Sequence, residues 1–180
     1  MKSKKLDSGT VLVFDSGDEV VSTLTKFAKE QRISAAHFTA IGAFSDVGIG
    51  YFDWQKKDYL KNEVNEQVEV VSLIGDIALD GGKPKVHAHV VVGKKNGTAM
   101  GGHLLEAHVR PTLELVLQDS SKELKRKFDP ESGLARSTWD SHEFLELIRK
   151  PMACGSQGNH RIGGSGVFGA LAFALKRRAP

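Results

Sequence analysis

"KPKVHAHVVVG", running from Lys83 to Gly93, decides how this chain folds. In an extended strand, side chains two apart share a face, so His87 and His89 project together while Ala88 and Val90 point the other way. The neighbouring segments read the same way. "QVEVVSLIGDIAL" precedes it, and "TAMGGHLLEAHV" and "TLELVLQ" follow, separated by Asp80-Gly81-Gly82, Asn96-Gly97 and Arg110-Pro111. Links this short allow hairpins and leave no room for helical crossovers, so the sheet is expected to be mostly antiparallel.

Upstream, "TVLVF" (Thr10 to Phe14) reads as a strand, and Ser16 with Glu19 three residues later predicts a capping box. The helix that follows carries Val20, Leu24, Phe27 and Ala28 at helical spacing and leaves Lys26, Lys29 and Glu30 for the wet side. "AAHFTAIGAF" and "DVGIGYFD" predict two strands with a bend or bulge near Gly42. One helix against a bent, mostly antiparallel sheet makes the class α+β. From Ser120 the sequence turns polar and the sheet pattern stops. Ser141 to Lys150 predicts a short helix ended by Pro151, followed by a glycine-rich stretch and the apolar "VFGALAFALKRR". The domain is therefore expected over 6–134, with 135–180 a C-terminal extension, partly helical or disordered.

With 180 residues, 40% of them hydrophobic, the chain suffices for one well-buried core. A net charge of +3 is a weak argument for nucleic acid. The one cysteine, Cys154, excludes an intramolecular disulfide. The apolar run Val11 to Phe14 is short for a signal peptide, and Val167 to Leu175 is short for a membrane span. A cytoplasmic protein with no membrane span is expected.

Asn96-Gly97 can turn the chain so that His103 returns beside His87 and His89, and Gly101 and Gly102 let that strand bend and approach closely. Three neutral imidazoles on adjacent strands form a tripod for a divalent metal, with zinc the best match; three protein ligands leave its fourth position open. The competing reading makes the histidines hydrogen-bonded core or interface residues. Glu114, in "RPTLELVL", is the candidate catalytic carboxylate: a general base, or a group that orients a histidine. A solvated or cross-strand-paired glutamate fits it equally. Arg110 offers an anion-binding guanidinium or a surface ion pair. His108 has the wrong parity to join His103 without a bulge, and His37, His142 and His160 are structural or exposed candidates. The chain has no Walker lysine loop, no strand-linked Gly-x-Gly-x-x-Gly and no Gly-x-Ser-x-Gly elbow, so cofactor-binding residues are not expected.

"AIGAFSDVGIGYFD", "VEVVSLIGDIAL", "KVHAHVVVG" and "GGHLLEAHVRPTLELVL" together resemble the PPC domain of plants and prokaryotes, over roughly Leu6 to Leu134. The resemblance implies a compact subunit assembled as a homotrimer, with histidines matching His87, His89 and His103 gathered on a metal. It also implies a fold similar to α-acetolactate decarboxylases and to a zinc-dependent ester hydrolase family. Plant members carry AT-hooks and bind AT-rich DNA. This chain lacks the Arg-Gly-Arg-Pro core whose arginines enter the minor groove.

Two functional readings follow. In one, the chain is a metal-stabilised homotrimer that binds a partner, DNA included by family analogy. In the other it is a metal-dependent enzyme, a hydrolase or decarboxylase-like lyase acting on a small carbonyl or ester substrate.

Overall fold

A computed structural model describes residues 1–138. It contains nine strands and one helix in the order β1 (Lys2–Leu6), β2 (Gly9–Phe14), α1 (Val20–Glu30), β3 (Ala35–Asp53), β4 (Asp58–Val64), β5 (Val68–Asp80), β6 (Lys83–Gly93), β7 (Ala99–Asp119), β8 (Lys125–Asp129) and β9 (Leu134–Thr138). The sheet is antiparallel except for one parallel bridge, Leu79 to Lys125, that fastens β8 to β5. This is the α+β class expected.

Pairing closes on itself. Strand β7 pairs with β3, β3 with β5, β5 with β6, and β6 again with β7. A sheet curls this tightly only where extra residues break its register, because a bulge bends a strand and increases its twist. Such shifts lie at Ala40/Gly42 and at three further points where β3 meets β7. The curl encloses Phe14, Phe38, Phe44, Leu73, Ile77 and Leu115, all 1% exposed or less. Helix α1 adds Val20, Leu24, Phe27 and Ala28 to the core, the four residues its periodicity selects.

The turns follow their sequences. Asp80 pairs with Lys83 across Gly81 and Gly82, whose φ values of 57° and 78° are those a two-residue hairpin of this twist demands. Asn96 accepts from the Thr98 N–H at 3.0 Å and closes the β6–β7 link. A Cβ on Gly102 would stand 2.6 Å from the Gly50 carbonyl oxygen, so the close approach expected of this glycine is real.

Four local expectations are corrected. Ser16 does not cap α1: Glu19 does, its carboxylate accepting from the Val21 and Ser22 N–H groups at 3.1 and 2.6 Å. The two strands expected around Gly42 form one, β3, because the bulge bends the strand without interrupting it. Arg110-Pro111 does not separate strands either. Strand β7 runs through it, and between Val109 and Leu113 it takes four residues where β3 advances two, so the irregularity is absorbed within the pairing. Finally, the polar stretch after Ser120 holds the β8–β9 hairpin. Its turn is fastened by Asp129, which accepts from Ser132 Oγ at 2.7 Å and Arg136 at 3.1 Å. Local side-chain bonds stand in there for the apolar alternation that signals a strand. The helix expected at 141–150, the apolar tail, Cys154, His142 and His160 lie outside the described residues.

Candidate metal centre

The position of His103 follows from a change of partner. From Ala99 to His103 strand β7 pairs with β6, and His103 stands directly opposite His89. From His103 onward β7 pairs with β3, beginning opposite Gly50. The two strands thus part at His103, and His87, two residues beyond His89 on the same face, overlooks the opening. One ring nitrogen from each of His87, His89 and His103 lies within 4.8 Å of the others. Ring centroids are 5.1 to 5.4 Å apart.

Neighbouring strands hold these rings in place. Asp76 on β5 is the cross-strand partner of His87, and its Oδ2 lies 3.4 Å from His87 Nδ1. With Nδ1 toward Asp76, Nε2 is the nitrogen of His87 left to serve as a ligand. The second carboxylate oxygen of Asp76 binds the Arg126 guanidinium, which β8 delivers and which is only 6% exposed. Burial pushes the Asp76 carboxyl up, but His87 and Arg126 outweigh it and hold the group below its ordinary value. Tyr59 of β4 stacks on His103, with centroids 4.5 Å apart and planes inclined at 21°. Beneath β6, a Cβ on Gly75 would come within 2.4 Å of the His87 carbonyl oxygen and of Phe38, so only glycine lets the strands pack this closely.

The donor set fits a metal such as zinc. Burial, reinforced by the charges of His87 and His89, lowers His103 to about 4, and burial followed by His87 also lowers His89. Both rings are therefore neutral near pH 7, the form in which imidazole is a ligand. His103 Nδ1 is buried without a hydrogen-bond partner, a situation that costs about 1–3 kcal/mol and that a coordinated ion relieves. Zinc–nitrogen bonds of about 2.0–2.1 Å place tetrahedral donors roughly 3.4 Å apart, within reach of these rings by small rotations.

Two depressions meet at the histidines. One, of about 350 Å³, is lined by Tyr59, Lys85, His87, His103, Arg126 and Arg136 among others. The other, of about 380 Å³, is shallower and includes His37, Ile74, His87 and His89.

The remaining candidates lie elsewhere. Glu114 is exposed on β7 opposite Val13 and Ile41, eleven positions along the strand from His103, so within this subunit the fold does not bring it to the three rings. Arg110 is likewise exposed and does not line either depression. His108 turns away from the cluster and binds Asp46, Nδ1 to Oδ1 at 2.7 Å. His37 is exposed but borders the shallower depression, closer to the site than its sequence context suggested. Sequence reasoning missed Asp76, Tyr59 and Arg126. Asp76 had a legible signal, since pairing β5 with β6 across Gly81-Gly82 sets it opposite His87. Arg126 had none, because β8 lies in a stretch without strand periodicity.

Comparison with known proteins gives the same picture. A bacterial protein, the bifunctional protein GlmU of Synechococcus sp. (strain JA-3-3Ab), is 29% identical across an alignment of 174 positions that covers 92% of this chain but 25% of that protein. A metal-containing protein from Archaeoglobus fulgidus is 38% identical, with a TM-score of 0.68 over 77% of this chain and all of the other. A Bacteroides thetaiotaomicron protein provisionally described as DNA-binding is 28% identical, with a TM-score of 0.74 over 76% of this chain and 96% of that one. The family model of the Plants and Prokaryotes Conserved (PCC) domain matches residues 1–121, and with a curled sheet carrying His-x-His opposite Gly-Gly-His, the chain belongs to that family.

Proposed function

We propose that this chain is a cytoplasmic zinc protein, assembled as a homotrimer, whose centre at His87, His89 and His103 serves a small molecule. The observation that carries this reading is the convergence of three ring nitrogens within 4.8 Å at the mouth of a cavity. The metal-containing relative from Archaeoglobus supports it. When bound, zinc supplies Lewis acidity, and three histidines leave one position for a substrate carbonyl or ester. The chain's own contribution is to orient. Asp76 fixes the face of His87, Tyr59 fixes the plane of His103, and Arg126 holds Asp76.

The trimer is supported by an apolar face. Val116, Thr39, Ile74 and His89 form one row across β7, β3, β5 and β6, and Ile41, Val71 and Val91 lie beside it. Ile74 is 55% and Ile41 64% exposed, a contiguous apolar surface that a second subunit would bury. Packing there covers the shallower depression and leaves the cavity beside Tyr59 and Arg126 as the way in. Should Glu114 act in this centre, it would have to come from another subunit.

Elemental analysis of protein purified without added metal tests the reading, with a His87→Ala/His89→Ala variant alongside. Near one zinc per chain in wild type and its loss in the variant are expected; a metal-free wild type that takes up none when zinc is offered overturns it. DNA binding is the second reading, favoured by the description of the Bacteroides relative. It requires retention on duplex DNA that weakens steeply with salt; no retention at low salt dismisses it.

A further inference from the structure

Arg126 is the most deeply buried charged side chain at the site, and its hydrogen bonding is incomplete. A guanidinium offers five N–H donors. Among the described residues Arg126 uses one nitrogen, on Asp76, and its Nε is buried with no acceptor. The same cavity is bordered by two more cations, Lys85 and Arg136, each tied to an acid outside the lining: Lys85 to Asp80 at 3.3 Å and Arg136 to Asp129 at 3.1 Å. Among the described residues no aspartate or glutamate lines this cavity. Beyond these cations and the two histidines, its wall is Tyr59, Val86, Leu134, Ala135 and Ser137, mostly apolar or aromatic with one hydroxyl.

We propose that the cavity beside the three histidines takes a small organic carboxylate, its acid group on Arg126 with Arg136 and Lys85 at the rim and its far end toward the histidines. A guanidinium pairs with a carboxylate through parallel N–H donors, which is why arginine serves where a planar anion must be oriented. The apolar wall selects against inorganic anions, which would leave it wet. A volume of about 350 Å³ limits the ligand to a small molecule. Only the placement of the ligand's far end rests on the metal reading; the acid-binding half stands on Arg126 itself. Arg126 and Arg136 lie on the β8–β9 hairpin, beyond the 121 residues matched by the family model.

The test titrates butyrate, butyramide and inorganic phosphate into wild-type protein, both zinc-loaded and chelator-treated, by isothermal calorimetry. Butyrate is expected to bind both preparations at least tenfold more tightly than butyramide or phosphate. Arg126→Lys keeps a cation beside Asp76 but removes the Nε donor; it should weaken butyrate at least tenfold with zinc content unchanged. Arg136→Gln, at an exposed hairpin position, should weaken it about two- to fivefold and serves if the first variant fails to fold. Equal binding of butyrate and butyramide, or unchanged butyrate affinity in Arg126→Lys, overturns the proposal. Phosphate binding as tight as butyrate overturns the organic class. Arg126-dependent butyrate binding to a protein that takes up no zinc would sink the metal reading and leave this one standing; zinc uptake without butyrate binding would do the reverse.

Discussion

Asp76 stands opposite His87 across β5 and β6, with its Oδ2 3.4 Å from His87 Nδ1 and its other oxygen on the buried guanidinium of Arg126. One carboxylate thus links a candidate metal ligand to a cation delivered from another part of the chain. A carboxylate behind a histidine fixes which nitrogen faces the metal and raises its basicity.

Asp76→Asn should therefore weaken zinc binding by about 10–100-fold. Competition with a chromophoric chelator measures this. An affinity equal to wild type would mean that Asp76 does not orient His87.

Gly75→Ala is expected to destabilise the fold by about 1–3 kcal/mol, because its Cβ overlaps the His87 carbonyl and Phe38 and one of the two strands must shift. Urea denaturation reads the loss. Zinc affinity should fall with it if the strand that moves is β6, which carries His87 and His89.

Glu19 closes the N-terminus of α1 and also accepts from the Ala107 N–H at 3.4 Å. Burial pushes its carboxyl up, but the hydrogen bonds from Ser22, Val21 and Ala107 outweigh burial and hold it below its usual value. A depressed carboxyl contributes stability that is present above its unfolded value and lost as pH falls through the folded one. Glu19→Ala should cost about 0.5–2 kcal/mol at neutral pH, and the deficit should shrink in acid below the ordinary carboxylate range. Thermal unfolding of both proteins from pH 7 to pH 3 checks the trend.

His108 is held above the ordinary histidine value chiefly by its hydrogen bond to Asp46, whose carboxyl is in turn depressed by His108. The His108 contribution is complete below pH 6.5 and disappears as pH rises through the raised value; the Asp46 contribution is complete above 3.8 and disappears as pH falls through the lowered one. The pair therefore acts between those two limits. An NMR titration should find the His108 midpoint above 6.5, and Asp46→Asn should move it downward. An unmoved midpoint would show that the contact is absent in solution.

The His-x-His spacing, the turn at Asn96-Gly97 and the glycines before His103 determined the core of the site in the sequence itself. Those features act locally: strand parity sets the face, and a short turn sets which residues oppose one another. Helix α1 was legible for a similar reason, since its four core residues recur with the helical period. What the tertiary structure decided is everything brought in across long separations. Tyr59 reaches His103 because β4 pairs with β3, which pairs with β7, and Arg126 reaches Asp76 because one parallel bridge fastens β8 to β5. Glu114 shows the converse. It was expected near His103 because a turn was expected at Pro111, but β7 continues through it with only a local irregularity, and its pairing moves from Gly50 opposite His103 to Ile41 opposite Glu114, which carries the carboxylate away. Parity and turns are written in neighbouring residues, whereas partner choice among distant strands depends on how the whole sheet buries its apolar face.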